Sequence, residues 1–546
     1  MLSPENDADR GDEGGSRVTE QVGTQMSRRQ FLMQVGKAGG AVAVYSAMST
    51  LGLLGQSASA ATLPPPGEVN AAQRNGKRIV ILGAGLAGMT AALEMTKAGY
   101  ECVILEARSR PGGRNWTIRR GDAVTETGGV KQVARFDEGL YFNPGPARIP
   151  QHHITMKYCR ELGVPLEVFG NVNDAAYFYS ENVGPLSGKK IRKREAKADV
   201  RGYTSELLAK AVDRNALNLP LSESDKEKLV AYLRREGDLD ADLFYKGSGR
   251  RGYKVLPGGG ETPGVREEPY NLSAIIQSGF GNSFNSEYSL DQQMMMFQPV
   301  GGMDQIGKAF ARKVGHMIRY QAVVQRIRQS ESGVSVTYRA DDGSVQEATG
   351  DYCICTIPLS VLKDIPADFS KEMSEAIGKI SYATTGKIGF QFRRRFWEID
   401  EGIYSGMTTT NMDINQIWYP SSDYLSRKGI VVGYYNFGEA AVQLGDMSLA
   451  EREEYALKQG AKIHPQYHKE FETSFSIAWH KTTYNMGGWA SYSAADRKDY
   501  YPTLNKPDGR VYLAGEHMSY LTGWMAGAFE SALLTVKAIQ ERVMKA

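Results

Sequence analysis

The stretch Arg78-Ile-Val-Ile-Leu-Gly83-Ala-Gly85-Leu-Ala-Gly88-Met-Thr-Ala-Ala-Leu-Glu-Met constrains this chain more than any other. A run of apolar, mostly β-branched residues meets three glycines spaced G-x-G-x-x-G and continues into helix-forming sequence. In a strand, turn and helix of this kind, Gly83 makes the tight turn, Gly85 admits a pyrophosphate to the backbone, and Gly88 lets helix close on strand. The free N–H groups of the first helical turn, at Leu86 and Ala87, then face the phosphates. The spacing alone is weak, because 60 glycines in 546 residues predict roughly 0.7 chance matches. A second match, Gly247-Ser-Gly249-Arg-Arg-Gly252, lacks a preceding strand and runs into Tyr253-Lys-Val-Leu-Pro257 rather than a helix. It reads as a basic loop.

The first match has the acidic partner that the second lacks. A further apolar run, Tyr100-Glu-Cys-Val-Ile-Leu-Glu106, ends in a carboxylate at the interval of a ribose-binding residue. A carboxylate there accepts from a free 2′-hydroxyl and repels a 2′-phosphate, which favours FAD or NAD over NADP.

Length implies two or three packed regions, and 41% hydrophobic with 23% charged residues is ordinary for a soluble globular chain. A net charge of +3 gives no sign of a nucleic-acid partner. Cys102, Cys159, Cys353 and Cys355 are too few and scattered for a disulfide scaffold, and no metal site is expected. Near the amino terminus, Ser27-Arg28-Arg29-Gln-Phe-Leu32 precedes a weakly apolar run from Val35 to Gly55, and Ala58-Ser-Ala60 offers small residues for cleavage. This resembles a twin-arginine export signal. Residues 1–60 are therefore read as signal peptide and polar extension, giving a periplasmic or secreted protein exported folded, with no stable membrane anchor after processing.

Directly after Glu106 stands Ala107-Arg108-Ser-Arg110-Pro-Gly112-Gly113-Arg114, where arginine forks and paired glycines flank the cradle. With this E-A-R-x-R-x-G-G-R run the chain resembles the flavin-containing amine oxidase family. Further on, Gly145-Pro146-Ala147-Arg148-Ile149-Pro150 is similar to the corresponding run of the L-amino acid oxidase branch. Read without the resemblance, an arginine in such a segment is more often a structural ion-pair residue than a ligand contact.

The resemblance implies an α/β architecture. A Rossmann-like, GR2-type FAD-binding domain would comprise 77–120, 303–365 and 505–546. A mixed-sheet substrate-binding domain would comprise 121–195, 295–302 and 366–504, and a helical insertion 196–294. It also implies roles at matching positions. Arg148, with Pro146 and Ala147 beside it, would hold a substrate carboxylate, and Lys387 in Thr385-Gly-Lys-Ile-Gly-Phe-Gln-Phe392 would hold a water near flavin N5. Tyr434, with Tyr435 adjacent and the register open by one, would help bind the carboxylate. The Val324 backbone would meet adenine, while Trp479 and Trp489 would line the flavin and side-chain pocket. In the last run, Glu516 of Gly515-Glu516-His517 would contact the ribityl chain, the Gly523-Trp524 pair would lie beside substrate and isoalloxazine, and Gly515 and Met525 would also border the cofactor.

The activity so implied is FAD-dependent oxidative deamination of L-amino acids, with hydride passing from Cα to the flavin and oxygen as acceptor. A homodimer is expected from resemblance alone. A decarboxylating L-amino acid 2-monooxygenase shares nearly every motif, an amine or polyamine oxidase would not need Arg148, and a non-enzymatic amino acid binding module would carry a vestigial cradle. One departure stands out: none of the seven histidines lies between residues 160 and 310, where some amino acid oxidases have a proposed base. Side-chain preference is open: Trp489 suggests a bounded pocket with an aromatic wall, while acids such as Asp242, Glu287 or Asp291 would instead select a cationic side chain.

Overall fold

The computed structural model describes residues 76–545 apart from Leu219. The twin-arginine stretch and its processing site lie outside the described residues. Among those described, no helix is long and apolar enough to cross a membrane.

Strand Arg78–Leu82 is the centre of a five-stranded parallel sheet ordered Ile318–Arg319, Glu101–Leu105, Arg78–Leu82, Tyr352–Cys355, Val511–Leu513. Its near-continuous apolar sequence follows from burial on both faces. Ile79 and Ile81 pack beneath helices Leu86–Lys97 and Met525–Lys545, whereas Val80 and Leu82 point into a second core with Val103, Leu105, Cys353 and Cys355. The cysteines of residues 76–545 are free thiols, and the two on one strand share a face, as their spacing predicts.

The other large sheet has seven strands in mixed orientation. Its order is Phe471–Ala478, Thr385–Phe392, Gly429–Phe437, Gln416–Trp418, Met407–Thr410, Tyr177–Tyr179, Ile191–Arg192. The strand Thr385–Phe392 lies between two partners and is buried at all eight positions. Lys387 therefore enters the interior on a strand with no solvent face.

Helices Lys193–Asp213 and Glu223–Gly237 open the insertion, the second starting at a capping box in which Ser222 and Asp225 satisfy each other's N–H groups. The rejected glycine loop lies here. Its Arg251 is buried on Asp199, which also accepts from Tyr245 Oη at 2.8 Å and from Tyr270 N at 2.9 Å.

Candidate active site

A cavity of about 510 Å³ opens at the carboxyl ends of the parallel strands, where ligands bind in such sheets. Gly83, Gly85, Leu86, Ala87, Glu106, Ala107, Arg108, Gly112, Gly113, Arg114 and Val324 line its nucleotide end. Pro146, Tyr435, Trp479, Trp489, Gly515, Glu516, Gly523, Trp524 and Met525 line the rest.

The glycine turn has the geometry a dinucleotide needs. Gly83 has φ of +100°, and a Cβ on Gly88 would stand 2.0 Å from Gly83 O, so helix and turn touch backbone to backbone. Gly88 itself lies beneath the turn, off the cavity wall. Gly85 caps the helix with no side-chain acceptor, and a Cβ there would meet nothing within 4 Å. The first-turn N–H groups thus face open space, and phosphate oxygens fit them. Glu106 is set by the backbone: Oε2 accepts from Ala84 N at 2.7 Å and Oε1 from Arg108 N at 2.8 Å. Each oxygen keeps a lone pair for a ribose hydroxyl.

The arginines behave differently from a pair of pyrophosphate forks. Arg108 Nη2 donates to Asn485 Oδ1 at 2.6 Å and to Thr483 O, and Arg110 stacks 4.0 Å over Trp116. Arg114 Nη1 donates to Gly488 O at 2.8 Å and to Glu516 Oε1 at 2.9 Å. They brace the loops around the cavity. Glu516 also accepts from the Gly523 and Ala490 N–H groups at 3.2 Å, tying together three segments far apart in sequence.

At the far end, Lys387 and Tyr435 are register partners across neighbouring strands, and Tyr434 stands opposite Ile388. Side chains alternate faces along a strand. Tyr435 consequently lines the cavity, with its ring 4.4 Å from Lys387 Nζ and 5.2 Å from the Trp418 ring. Tyr434 points into the core beside Ile388 and Phe390. The assignment of Tyr434 to the site is corrected by one position, to Tyr435.

Arg148, Ala147 and Lys387 stand just behind the cavity wall. The Arg148 guanidinium lies 4.6 Å over Trp418 and 6.0 Å from Trp524. Its Nη2 donates to Gln292 Oε1 at 3.0 Å, and Nη1 is 4.0 Å from the Met407 sulfur. Among the described residues no carboxylate pairs with it, and burial lowers its pKa to about 10. Lys387 Nζ donates to Gly145 O at 2.7 Å. Burial, reinforced by Arg148, lowers its pKa to about 7, so amine and ammonium coexist near neutrality. Burial likewise pushes the Tyr435 phenol up to about 12. Trp479 is fixed by its Nε1–H on Pro144 O at 3.0 Å, and Gly523, at φ +81°, lets the chain turn against the Trp489 ring.

The model of the flavin containing amine oxidoreductases matches residues 86–540. The chain belongs to this family. FAD is accordingly its cofactor, and the cradle, Glu106 and Val324 fit the nucleotide half. Similar proteins include a putative L-amino-acid oxidase, YobN, of Bacillus subtilis (strain 168), 26% identical over 476 residues, covering 85% of this chain and 94% of that one. An L-amino-acid oxidase of Echis ocellatus is 26% identical over 494 residues, covering 86% and 90%. Among solved structures, putrescine oxidase bound to putrescine aligns with a TM-score of 0.57 at 18% identity, covering 85% of this chain and 99% of that one. Cyclohexylamine oxidase from Brevibacterium oxydans IH-35A aligns with 0.58 at 16% identity, covering 86% and 100%. These two share the fold.

Several residues of this flavin amine oxidoreductase's site escaped the sequence reading. Trp418 comes from a three-residue strand, and Gln292 from a segment with no motif. His152 and His153 sit beside the expected Pro146–Arg148 run, but their partner Asp291 is distant in sequence. His153 Nε2 is 2.9 Å and His152 Nε2 is 3.1 Å from Asp291 Oδ1, and the His153 ring meets Trp524 edge-on at 5.2 Å. Burial lowers the His153 pKa against the opposing pull of Asp291. Of the acids considered for a cationic substrate, Glu287 is paired with Lys197 at 2.6 Å, Asp291 is held by these histidines, and Asp242 is exposed.

Proposed function

We propose that the protein is an L-amino acid oxidase, converting an L-amino acid, oxygen and water to the 2-oxo acid, ammonia and hydrogen peroxide. The observation that carries this reading is Arg148, a half-buried guanidinium with neutral partners just behind the wall of the flavin cavity. A partly desolvated cation without a counter-ion is costly, and a ligand carboxylate relieves that cost through charge-assisted hydrogen bonds. The relatives named L-amino-acid oxidase in Bacillus subtilis and Echis ocellatus support the same reading.

Bound FAD supplies the hydride acceptor and the site at which oxygen takes up the electrons. The chain's own residues do the rest by orientation. Arg148 receives the carboxylate, and Tyr435 Oη adds a hydrogen bond to it. Trp418, Trp489 and Trp524 wall the site and exclude water. Lys387, poised near neutrality and anchored on Gly145 O, is suited to hold a water and move a proton at Nζ. The released imino acid hydrolyses in water.

Product analysis of the purified holoenzyme in air tests the assignment, with each L-amino acid and its decarboxylated amine as substrates. Peroxide with oxo acid is the expected result. Amide with carbon dioxide would move the assignment to a decarboxylating monooxygenase, and turnover of amines alone would remove Arg148 from the chemistry. Export through the twin-arginine pathway and a homodimeric state belong to the same proposal. Amino-terminal sequencing of exported protein and light scattering test them.

A further inference from the structure

Residues 291–295 form a strap that leads from the insertion back to the strand Met295–Pro299, and it is fastened along its length to the turn carrying Arg148. Asp291 Oδ1 receives His153 and His152. Gln293 Oε1 accepts from Gln151 N at 2.8 Å, and Gln151 Nε2 donates to Met295 O at 2.9 Å. Because Oε1 of Gln293 is so used, its Nε2 is the group 3.3 Å from His152 Nδ1. That contact places the His152 ring proton on Nε2, facing Asp291. Between these fasteners, Gln292 reaches inward and sets Oε1 on Arg148 Nη2 at 3.0 Å.

A carboxamide in this position supplies one acceptor and no charge. It satisfies a single N–H of the fork and leaves the guanidinium without a counter-ion, whereas a carboxylate satisfies two N–H groups and the charge together. We propose that Gln292 is a displaceable stand-in for the substrate carboxylate, holding one prong of Arg148 until an amino acid takes its place. The proposal rests on the reading of Arg148 as the carboxylate anchor. Gln292 is a positioning residue: it holds one prong of the fork in place between turnovers, and its departure completes the two-pronged site. The His152–Asp291–His153 fastening holds the strap while the side chain swings.

The test uses the holoenzyme and benzoate, a carboxylate that cannot be oxidised, with binding followed by the flavin absorbance change. Gln292→Glu gives Arg148 a permanent internal counter-ion, so benzoate binding should weaken at least ~10²-fold and KM for L-amino acids should rise in parallel. Gln292→Leu removes the competitor at similar volume, so benzoate should bind about 3- to 10-fold tighter, with KM for L-amino acids lowered in parallel. Asp291→Asn, which loosens the strap without touching Arg148, should shift binding in the same direction as Gln292→Leu. Wild-type benzoate affinity in Gln292→Glu, or weaker binding in both other variants, would overturn the proposal. Wild-type protein that neither binds benzoate nor turns over any L-amino acid would overturn the anchor reading itself, and the stand-in with it.

Discussion

At the nucleotide end of the cavity the charged groups Glu106 and Arg114 already have charged or backbone N–H partners within the chain, whereas at the other end two cations, Arg148 and Lys387, have only neutral ones. Glu106 is held by two backbone N–H groups and Arg114 by Glu516. Arg148 and Lys387 have an amide oxygen, a thioether and a carbonyl between them. A paired charge keeps its geometry when the ligand is away, while a desolvated unpaired one waits for an anion. The first end is a socket that stays in shape empty, and the second is completed by what binds there.

The sharpest way to break this comparison is at the socket. Gly88→Val puts side-chain atoms against Gly83 O, a backbone atom with no room to retreat, so flavin content after purification should fall below about a tenth of wild type. Full flavin occupancy would show that the turn is not held by that contact. Next in size, Arg148→Met should raise KM for amino acids ~10²-fold or more, with flavin content unchanged; ordinary kinetics would place the carboxylate elsewhere. A smaller pair of effects separates the adjacent tyrosines. Tyr435→Phe should raise KM about tenfold through loss of one hydrogen bond. Tyr434→Phe should leave KM alone and cost about 1 kcal/mol of stability in a denaturant melt.

The smallest effect concerns pH. Lys387, with its pKa lowered to about 7, is charged below that value and neutral above it. An anion beside Arg148 is favoured by the second charge, so benzoate affinity should be highest below pH 7 and fall a few-fold as pH rises to 8. Lys387→Met should flatten the profile, and a persisting slope would assign it to another group.

The two ends also differ in how far the sequence disclosed them. The socket follows from backbone demands, and those leave residue-type signatures: Gly83 and Gly88 have no substitute where φ is positive or two backbones touch, and Glu106 ends a strand of recognisable pattern. Arg148 was visible as a charge within a turn-forming run. The tyrosine register was not, because consecutive tyrosines give no side to choose, and the pairing slips at a bulge between Ile388 and Gly389. Lys387 sits on a strand buried on both faces, where alternation carries no information. The arginines after Glu106 were read by their charge, yet Arg108 and Arg114 reach Thr483, Asn485, Gly488 and Glu516, hundreds of residues away, and Arg110 stacks on the neighbouring Trp116. Gln292 comes from an irregular segment at the end of the insertion and Trp418 from a three-residue strand of the seven-stranded sheet, so neither carries a periodicity that marks it.

An arginine that waits for a carboxylate does not ask what is attached to it. In the proposed reaction amino acid, imino acid and 2-oxo acid all carry the same group, so an anchor that admits the reactant would also retain the product. Turnover in a closed volume should therefore slow as oxo acid accumulates, by competition at Arg148 rather than by exhaustion of substrate. The pace of the enzyme would then be set by how quickly its surroundings carry the oxo acid away.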